Sequence, residues 1–348
     1  MKCLELQENA KLVLVEKPIP VPKSGEVLVK IAACGVCGSD VGRIMNNGAY
    51  FYPLVPGHEF AGTVVEAGPD TDPVLVGKNV AVFPLLPCNT CSECAAGRYN
   101  VCEKYNYFGS RCDGGYAEYV AVPVWNLVFL PETLSPVLAA LCEPLAVAFH
   151  ALHQGGMEMG FNVGISGAGP IGMILSRIAK NAGAQNVVIW DIDPTKVSFS
   201  KEMGNVHTIN ALETNVVDYV AEHFGKVDLV IEGTGSSNGL ETCLSILKKH
   251  GDIVLMGNPS RDVTLTRNTY WKIMRGELNV HGTWNSAYCD GVKNDWKCVV
   301  DILNKDQEWF SKLISHRVKL EDGADPVKMM QERKVFFNKV MYVMEESE

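Results

Sequence analysis

The stretch Asn162-Val-Gly-Ile-Ser-Gly-Ala-Gly-Pro-Ile-Gly172 joins a short apolar run to closely spaced glycines. The apolar run 162–166 predicts a buried strand, and a helical pattern follows to about Ala182. The glycine pattern G-x-G-x-x-G occupies residues 167–172. Its glycines are Gly167, Gly169 and Gly172, and Pro170 and Ile171 stand between the last two. Its first glycine permits a tight turn, its second allows close approach of a pyrophosphate, and its third allows close packing of helix and strand. This stretch therefore predicts a dinucleotide site at a helix N-terminus.

A carboxylate follows the second strand of this region, which is predicted at 187–190. Asp191 stands 19 residues after Gly172, where it can accept hydrogen bonds from the ribose hydroxyls of a dinucleotide. The same charge repels a 2′-phosphate, so the sequence predicts NAD rather than NADP. A structural glycine turn in another α/β protein is the alternative. Asp193 is interpreted as a helix cap before Pro194.

Strands that alternate with helices continue beyond this stretch. Apolar runs at 227–231, 253–256 and 278–280 predict further strands, and the alternation is typical of parallel β-α-β units. We therefore predict a doubly wound parallel sheet, with the dinucleotide at its first strand-to-helix turn.

The first part of the chain differs in character. Apolar runs at 25–34 and 60–67, among many glycines and prolines, predict a β-rich domain. Runs at 335–337 and 339–343 predict closing strands that return to it. The predicted divisions are residues 1–147, 148–284 and 285–348.

The composition limits the class of protein. The chain has 348 residues, which predicts two domains, and a net charge of −9, which disfavours nucleic-acid binding. We recognise no secretory signal and no apolar run of membrane-spanning length, and so expect a soluble cytoplasmic protein. In such a protein, 12 cysteines predict metal ligation rather than disulfides.

Four of these cysteines are closely spaced. They lie at Cys88, Cys91, Cys94 and Cys102. Four thiolates suit a closed tetrahedral zinc site, which is structural because no position is left for a substrate. An iron–sulfur site is disfavoured because bacterial ferredoxins use a shorter last gap followed by proline, whereas Glu103 follows here. A nucleic-acid zinc ribbon is disfavoured because the lobe has no net basic charge.

A second metal site is predicted from separate segments. Cys37, His58 and Glu143 supply one sulfur, one imidazole and one carboxylate, and Glu59 offers a second carboxylate. Three protein ligands with an open fourth position define a catalytic zinc site. The competing interpretation is a thioredoxin-like pair, Cys34 and Cys37. We disfavour it because the segment follows a strand in a region rich in glycine and proline, rather than opening a helix.

With these motifs together, the chain resembles the zinc-containing medium-chain alcohol dehydrogenases, in particular their polyol dehydrogenase branch. The resemblance covers nearly the whole length. It is carried by short strings at 37–40, 43–44, 47–49, 52–53, 57–60, 84–88, 108–111, 113–115 and 143–144. It implies a GroES-like, β-rich catalytic domain, split in sequence, which flanks a Rossmann domain. It also implies two zinc ions per chain and NAD.

The resemblance also implies roles for single residues. Cys37, His58 and Glu143 would bind the catalytic zinc, with Glu59 as an alternate ligand or a partner of one. Ser39 would touch the substrate oxygen, and Asp40 would orient His58. Many relatives place a relay histidine five residues after the first zinc cysteine, and Gly42 stands there instead. The proton would then leave through Ser39 and water, or through Glu59.

The implied substrate is a small sugar alcohol or its phosphate, oxidised by hydride transfer to NAD⁺. Arg43 and Arg111 are the candidates to bind a phosphate. An unphosphorylated polyol, butanediol or threonine is the alternative substrate. A homodimer or homotetramer is implied, with the strand at 278–283 pairing across subunits. Two other classes, a zinc-free quinone reductase and a non-enzymatic metal-binding protein, are disfavoured by the cysteines and by the glycine pattern respectively.

Overall fold

The computed structural model describes residues 1–289 and 294–344. Its strands, β1 to β17, are Lys2–Glu8, Lys11–Glu16, Glu26–Val36, Glu59–Ala67, Asn79–Val82, Leu85–Leu86, Asn106–Tyr107, Tyr119–Pro123, Leu127–Phe129, Asn162–Ser166, Asn186–Asp191, His207–Asn210, Val227–Glu232, Leu247–Leu255, Asn279–Gly282, Ile314–Val318 and Lys339–Val343. Its α-helices, α1 to α12, are Gly38–Gly42, Ser92–Ala95, Pro136–Ala139, Cys142–Gln154, Pro170–Asn181, Pro194–Glu202, Val216–His223, Ser237–Ile246, Arg267–Gly276, Asp295–Lys305, Gln307–Ser311 and Asp325–Glu332.

The chain divides into two compact units. One comprises Met1–Pro144 and Ala287–Glu348, and the other comprises Leu145–Ser286. From the sequence, the domain boundaries were predicted between residues 147 and 148 and between residues 284 and 285. The first unit is thus built from two separate stretches of the chain.

The first unit is centred on a mostly antiparallel sheet with the strand order β16-β17-β3-β4-β5-β9, and β8 also pairs with β3. Its core consists of apolar side chains of both stretches, including Ile31, Phe60, Val327 and Tyr342. The last strand, β17, runs antiparallel to β3, with Val340 opposite Val36. Burial of apolar surface on both stretches therefore holds the carboxyl-terminal segment in this unit.

The second unit contains a six-stranded sheet in the order β12-β11-β10-β13-β14-β15. Every pairing in it is parallel. Its central strands are buried runs such as Asn162–Ser166 and Val227–Glu232, as expected when helices cover both faces. The reversal of strand order beside β10 places the glycine loop at the topological switch point of a Rossmann fold.

Most of the predicted strands are present, and one is not. Residues 335–337 are irregular, and β17 begins only at Lys339. The apolar run at 335–337 is therefore a connection rather than a strand. Among the described residues, no helix is long and apolar enough to cross a membrane.

Candidate active site

The four-cysteine lobe brings its thiols together. The ligand atoms of Cys88, Cys91, Cys94 and Cys102 lie within 4.8 Å of one another. The Sγ atoms of Cys88 and Cys94 are 4.0 Å apart, and those of Cys91 and Cys102 are 3.9 Å apart. Tetrahedral zinc with bonds of about 2.3 Å needs sulfur–sulfur separations of roughly 3.8 Å. The lobe therefore fits a zinc ion, and all 12 cysteines of the chain are free of disulfides.

Two thiols of the lobe, those of Cys88 and Cys91, have lowered pKa values, whereas burial raises the pKa of Cys94 to about 12. Thr90 Oγ1 donates a hydrogen bond to Cys88 Sγ at 3.3 Å, and the amide of Cys94 donates to Cys91 Sγ at 3.5 Å. The Thr90 hydroxyl is the main cause that lowers the pKa of Cys88 to about 6. Hydrogen bonds to sulfur favour the thiolate, which is the form that binds zinc.

A second group of ligands forms where β3 ends and β4 begins. Cys37 caps the short helix α1 directly after β3, and His58 and Glu59 lie at the start of β4. These strands pair antiparallel, with Gly35 opposite Glu59. The ligand atoms of Cys37, His58 and Glu59 consequently lie within 4.8 Å of one another. One thiol, one imidazole and one carboxylate suit catalytic zinc.

A fully buried carboxylate lies beside the imidazole. Asp40 Oδ1 is 3.2 Å from His58 Nδ1 and accepts a 2.9 Å hydrogen bond from Arg43 Nη1. The contact with His58 is close, but it lacks hydrogen-bond geometry. Tyr116 and the amide of Cys37 donate to the other oxygen. Burial opposes the charged imidazole, but Asp40 outweighs it and raises the pKa of His58 well above its ordinary value.

Glu59 is held by a lysine that was not predicted from the sequence. Lys339 Nζ lies 2.8 Å from Glu59 Oε1 and 2.6 Å from Oε2, and both side chains are almost fully buried. Burial opposes the charge of Lys339, but Glu59 raises the pKa of the ammonium group above its ordinary value. Glu59 and Lys339 therefore form a buried ion pair.

Glu143 is absent from the group of close ligand atoms. Its Oε1 accepts a 3.2 Å hydrogen bond from the hydroxyl of Tyr107, whose ring centroid is 5.7 Å from that of His58. Burial raises the pKa of Glu143 to about 7. Glu143 was predicted as the third ligand, with Glu59 as the alternate, and the pairing of β3 with β4 brings Glu59 close to Cys37. Which of the two carboxylates binds the metal stays a prediction.

The two arginines predicted to bind phosphate have different surroundings. Arg43 is engaged by the buried carboxylate of Asp40. Arg111 is half-buried, and its guanidinium carbon lies 4.9 Å from the ring centroid of Tyr50 and 4.4 Å from that of Tyr105. Ser39 is exposed on α1. The structure thus gives Arg43 an acidic partner, which weakens the case for it as a phosphate ligand.

The glycine loop of the second unit has the shape of a dinucleotide cradle. Gly167 has a φ of +106°, which favours glycine. A Cβ at Gly169 would meet nothing within 4 Å, whereas one at Gly172 would overlap the carbonyl oxygen of Gly167. The loop therefore leaves open space at its second glycine, beside the N-terminus of α5, and packs tightly at its third.

Asp191 ends β11 beside this loop. Its Oδ2 accepts a 2.9 Å hydrogen bond from the amide of Ala168, and its Oδ1 accepts one of 3.0 Å from the amide of Asp193. Asp193 in turn caps α6 by accepting from the amide of Thr195, as its place before Pro194 indicated. The carboxylate predicted to face the ribose is thus held against the loop.

Sequence reasoning missed Lys339, Tyr107 and Tyr116. None belongs to a local motif, and each reaches the site through strand pairing or chain return. Lys339 is 280 positions from its partner Glu59. A charged residue at the start of an otherwise apolar strand, Lys339–Val343, was the one available signal.

Comparison with known proteins agrees with this geometry. Residues 23–132 match the alcohol dehydrogenase GroES-like domain, and residues 170–305 match the zinc-binding dehydrogenase family. Galactitol 1-phosphate 5-dehydrogenase of Escherichia coli K12 is 36% identical over 318 residues, which cover 90% of this chain and 92% of that protein. L-galactonate-5-dehydrogenase of the same organism is 35% identical, covering 74% and 76% of the two chains.

Solved structures show the same relationship. The crystal structure of galactitol-1-phosphate dehydrogenase from Escherichia coli superposes with a TM-score of 0.91 at 35% identity, over 99% of this chain and all of that one. An alcohol dehydrogenase, rspB, from Escherichia coli CFT073 in complex with NADH superposes with a TM-score of 0.90 at 29% identity, over 99% of each chain. The chain is therefore a member of the zinc-binding, GroES-like alcohol dehydrogenase family.

Proposed function

We propose that this protein oxidises a secondary alcohol of a sugar-alcohol phosphate with NAD⁺, and that galactitol 1-phosphate, converted to tagatose 6-phosphate, is its substrate. The observation that carries the proposal is the group of Cys37, His58 and Glu59, whose ligand atoms lie within 4.8 Å of one another. The substrate assignment is supported by 36% identity to galactitol 1-phosphate 5-dehydrogenase over 90% of the chain.

The chemistry divides between the bound groups and the chain. Zinc supplies Lewis acidity for the alcohol oxygen, and the nicotinamide supplies the hydride acceptor. Asp40 sets the orientation of His58, and Lys339 holds the carboxylate of Glu59 in place. Ser39, exposed two residues after Cys37, is proposed to take the hydroxyl proton on its Oγ and pass it to water.

Asp191 supports NAD⁺ as the oxidant. Its carboxylate ends β11 next to the glycine loop, where a negative charge favours ribose hydroxyls and repels a 2′-phosphate. We expect kcat/KM to be higher with NAD⁺ than with NADP⁺.

A homo-oligomer is also part of the proposal. Strand β15 lies at the end of its sheet and pairs only with β14 among the described residues. Nearby apolar side chains are exposed, including Val280 at 48% and Trp284 at 52%. An open edge strand with apolar side chains is a template for pairing with a second copy of the chain.

The decisive experiment combines a substrate panel with metal analysis. We expect the native protein to contain two zinc ions per chain and to reduce NAD⁺ with galactitol 1-phosphate more efficiently than with sorbitol or threonine. Cys37→Ala and His58→Ala should each lower kcat on the order of 10³-fold, because Lewis acidity contributes several kcal/mol. Each variant should keep the lobe zinc and the native circular dichroism spectrum. Undiminished turnover in either folded variant would refute the mechanism.

A further inference from the structure

Arg111 lies between two tyrosine rings. Its guanidinium carbon is 4.9 Å from the ring centroid of Tyr50 and 4.4 Å from that of Tyr105. Its Nη1 donates a 3.2 Å hydrogen bond to the carbonyl oxygen of Tyr105. Two aromatic neighbours restrain a planar guanidinium group, so less side-chain entropy is lost when its remaining N–H groups bind a ligand.

Arg111 differs from other arginines of its unit in its charged neighbours. Within residues 1–289 and 294–344, no carboxylate forms an ion pair with it, although the chain has 40 acidic and 31 basic residues. Other arginines of the same unit differ: Arg43 pairs with Asp40 and Arg98 with Glu93. An arginine held in place without an acidic partner is suited to an anionic ligand.

A series of contacts connects Arg111 to the zinc ligands. The amide of Arg111 donates a 2.9 Å hydrogen bond to the carbonyl oxygen of Tyr107. The ring of Tyr107 lies 6.1 Å from that of Tyr105 and 5.7 Å from that of His58. Tyr107 therefore contacts both Tyr105, which lies against the guanidinium group, and His58 of the candidate metal site.

We propose that Arg111, restrained by Tyr50 and Tyr105, binds the oxyanion at one end of the substrate while the alcohol near the other end is oxidised. The assignment rests on the proposed function and deepens it, since it makes a terminal phosphate or carboxylate the feature by which substrates are selected. Arg43 has no part in this selection, because its guanidinium group is bound by Asp40.

The test compares substrates that differ at one end. For the zinc-loaded protein with NAD⁺, kcat/KM is measured for galactitol 1-phosphate, L-galactonate and galactitol. In Arg111→Gln we expect the ratio of kcat/KM for galactitol 1-phosphate to that for galactitol to fall about 30-fold, since hydrogen bonds between charged groups contribute about 1.5–3 kcal/mol. The loss should lie mainly in KM. Arg111→Lys, which keeps the charge without the planar fork, should give an intermediate ratio.

The matched control is Arg317→Gln, which removes an exposed arginine from β16 of the same unit. It should leave the ratio unchanged. Arg111→Gln could instead lower the ratio of kcat/KM for L-galactonate to that for galactitol and leave the ratio for galactitol 1-phosphate unchanged. In that case the bound oxyanion is a carboxylate, and Arg111 is still its receptor. A ratio within threefold of the native value for both anions would overturn the assignment.

A binding measurement separates this inference from the proposed function. Calorimetric titration of the zinc-loaded protein with galactitol 1-phosphate and with L-galactonate reports affinity without turnover. If the native protein oxidises no polyol, the proposed function fails; tight binding of either anion that is lost in Arg111→Gln would still support the receptor. Equal affinity of native and variant proteins for both compounds would refute it.

Discussion

At the scale of single residues, the site depends on charges that are buried together. Glu59 and Lys339 have side chains that are 2% and 5% exposed, and they neutralise each other directly. The structure makes room for this carboxylate at Gly35, where a Cβ would overlap Glu59 Oε2. Removal of one partner leaves the other charge in an apolar environment, which costs more than the loss of an exposed ion pair.

We expect Lys339→Met to lower the free energy of unfolding by about 3–5 kcal/mol, because Glu59 would remain as an uncompensated buried charge. Urea unfolding of metal-free native and variant proteins measures the difference, because a zinc ion at Glu59 would itself compensate the charge. Lys334→Met, which breaks an exposed pair with Glu332, is the control and should cost less than about 1 kcal/mol.

A double variant tests the cause of this loss. Lys339→Met combined with Glu59→Gln carries no unpaired charge and should be more stable than Lys339→Met alone. The interpretation is wrong if Lys339→Met costs no more than Lys334→Met, or if the double variant is the least stable of the set.

At the scale of elements, two binding sites lie in short connecting segments: the zinc site of the four-cysteine lobe and the dinucleotide site of the glycine loop. The lobe has only a four-residue helix, Ser92–Ala95, and its four thiols converge in a loop too short to have a core of its own. Zinc therefore contributes the order that burial cannot supply there. The turn between β10 and α5 is organised by three glycines with distinct roles, and these roles can be separated by substitution.

We predict that Gly169→Ala and Gly172→Ala fail for different reasons. Gly169 has a φ of −75° and open space at its Cβ, so alanine should change stability by about 1 kcal/mol or less and weaken NAD⁺ binding at least tenfold. Gly172→Ala should lower the melting temperature, because its Cβ would overlap the carbonyl oxygen of Gly167.

Calorimetry of NAD⁺ binding and thermal unfolding of both variants provide the comparison. Unchanged NAD⁺ affinity in a stable Gly169→Ala protein would show that the pyrophosphate does not approach this glycine. A melting temperature of Gly172→Ala equal to the native value would contradict the close packing of helix and strand.

At the scale of the whole molecule, the chain forms two units, and the second ends in the open edge strand β15. Val280 on this strand and Tyr270 and Met274 on α9 are 48%, 55% and 60% exposed. Such an edge invites pairing with another chain unless charge or distortion blocks it. The proposed oligomer accounts for this exposure.

We expect Val280→Lys to shift the protein toward a smaller assembly, because a charge on the edge strand opposes pairing and burial. Light scattering coupled to size-exclusion chromatography measures the mass of each species. Val206→Lys, at a position that is 78% exposed in the same unit, is the control and should keep the native mass. A native protein that is monomeric at every concentration would exclude the proposed pairing.

Features set by neighbouring residues were accessible from the sequence. The glycine loop, the strand at Asn162–Ser166 and the cap at Asp193 follow from periodicity and turn chemistry within a few positions. The four-cysteine lobe was predicted equally well, because its ligands lie within one loop and their spacing alone specifies the metal site. The strand expected at 335–337 was wrong, because apolar runs of three residues do not distinguish a strand from a packed connection.

The grouping of side chains at the candidate zinc site depends on tertiary structure. Glu59 lies close to Cys37 and His58 because β3 pairs with β4, and the lysine that holds Glu59 comes from a strand 280 positions away. The surroundings of Arg43 and Arg111 likewise follow from the folded chain, which places a buried carboxylate beside one and two tyrosine rings beside the other. Local spacing specifies which groups can bind, whereas long-range pairing specifies which of them meet, because only the folded chain brings distant side chains within bonding distance.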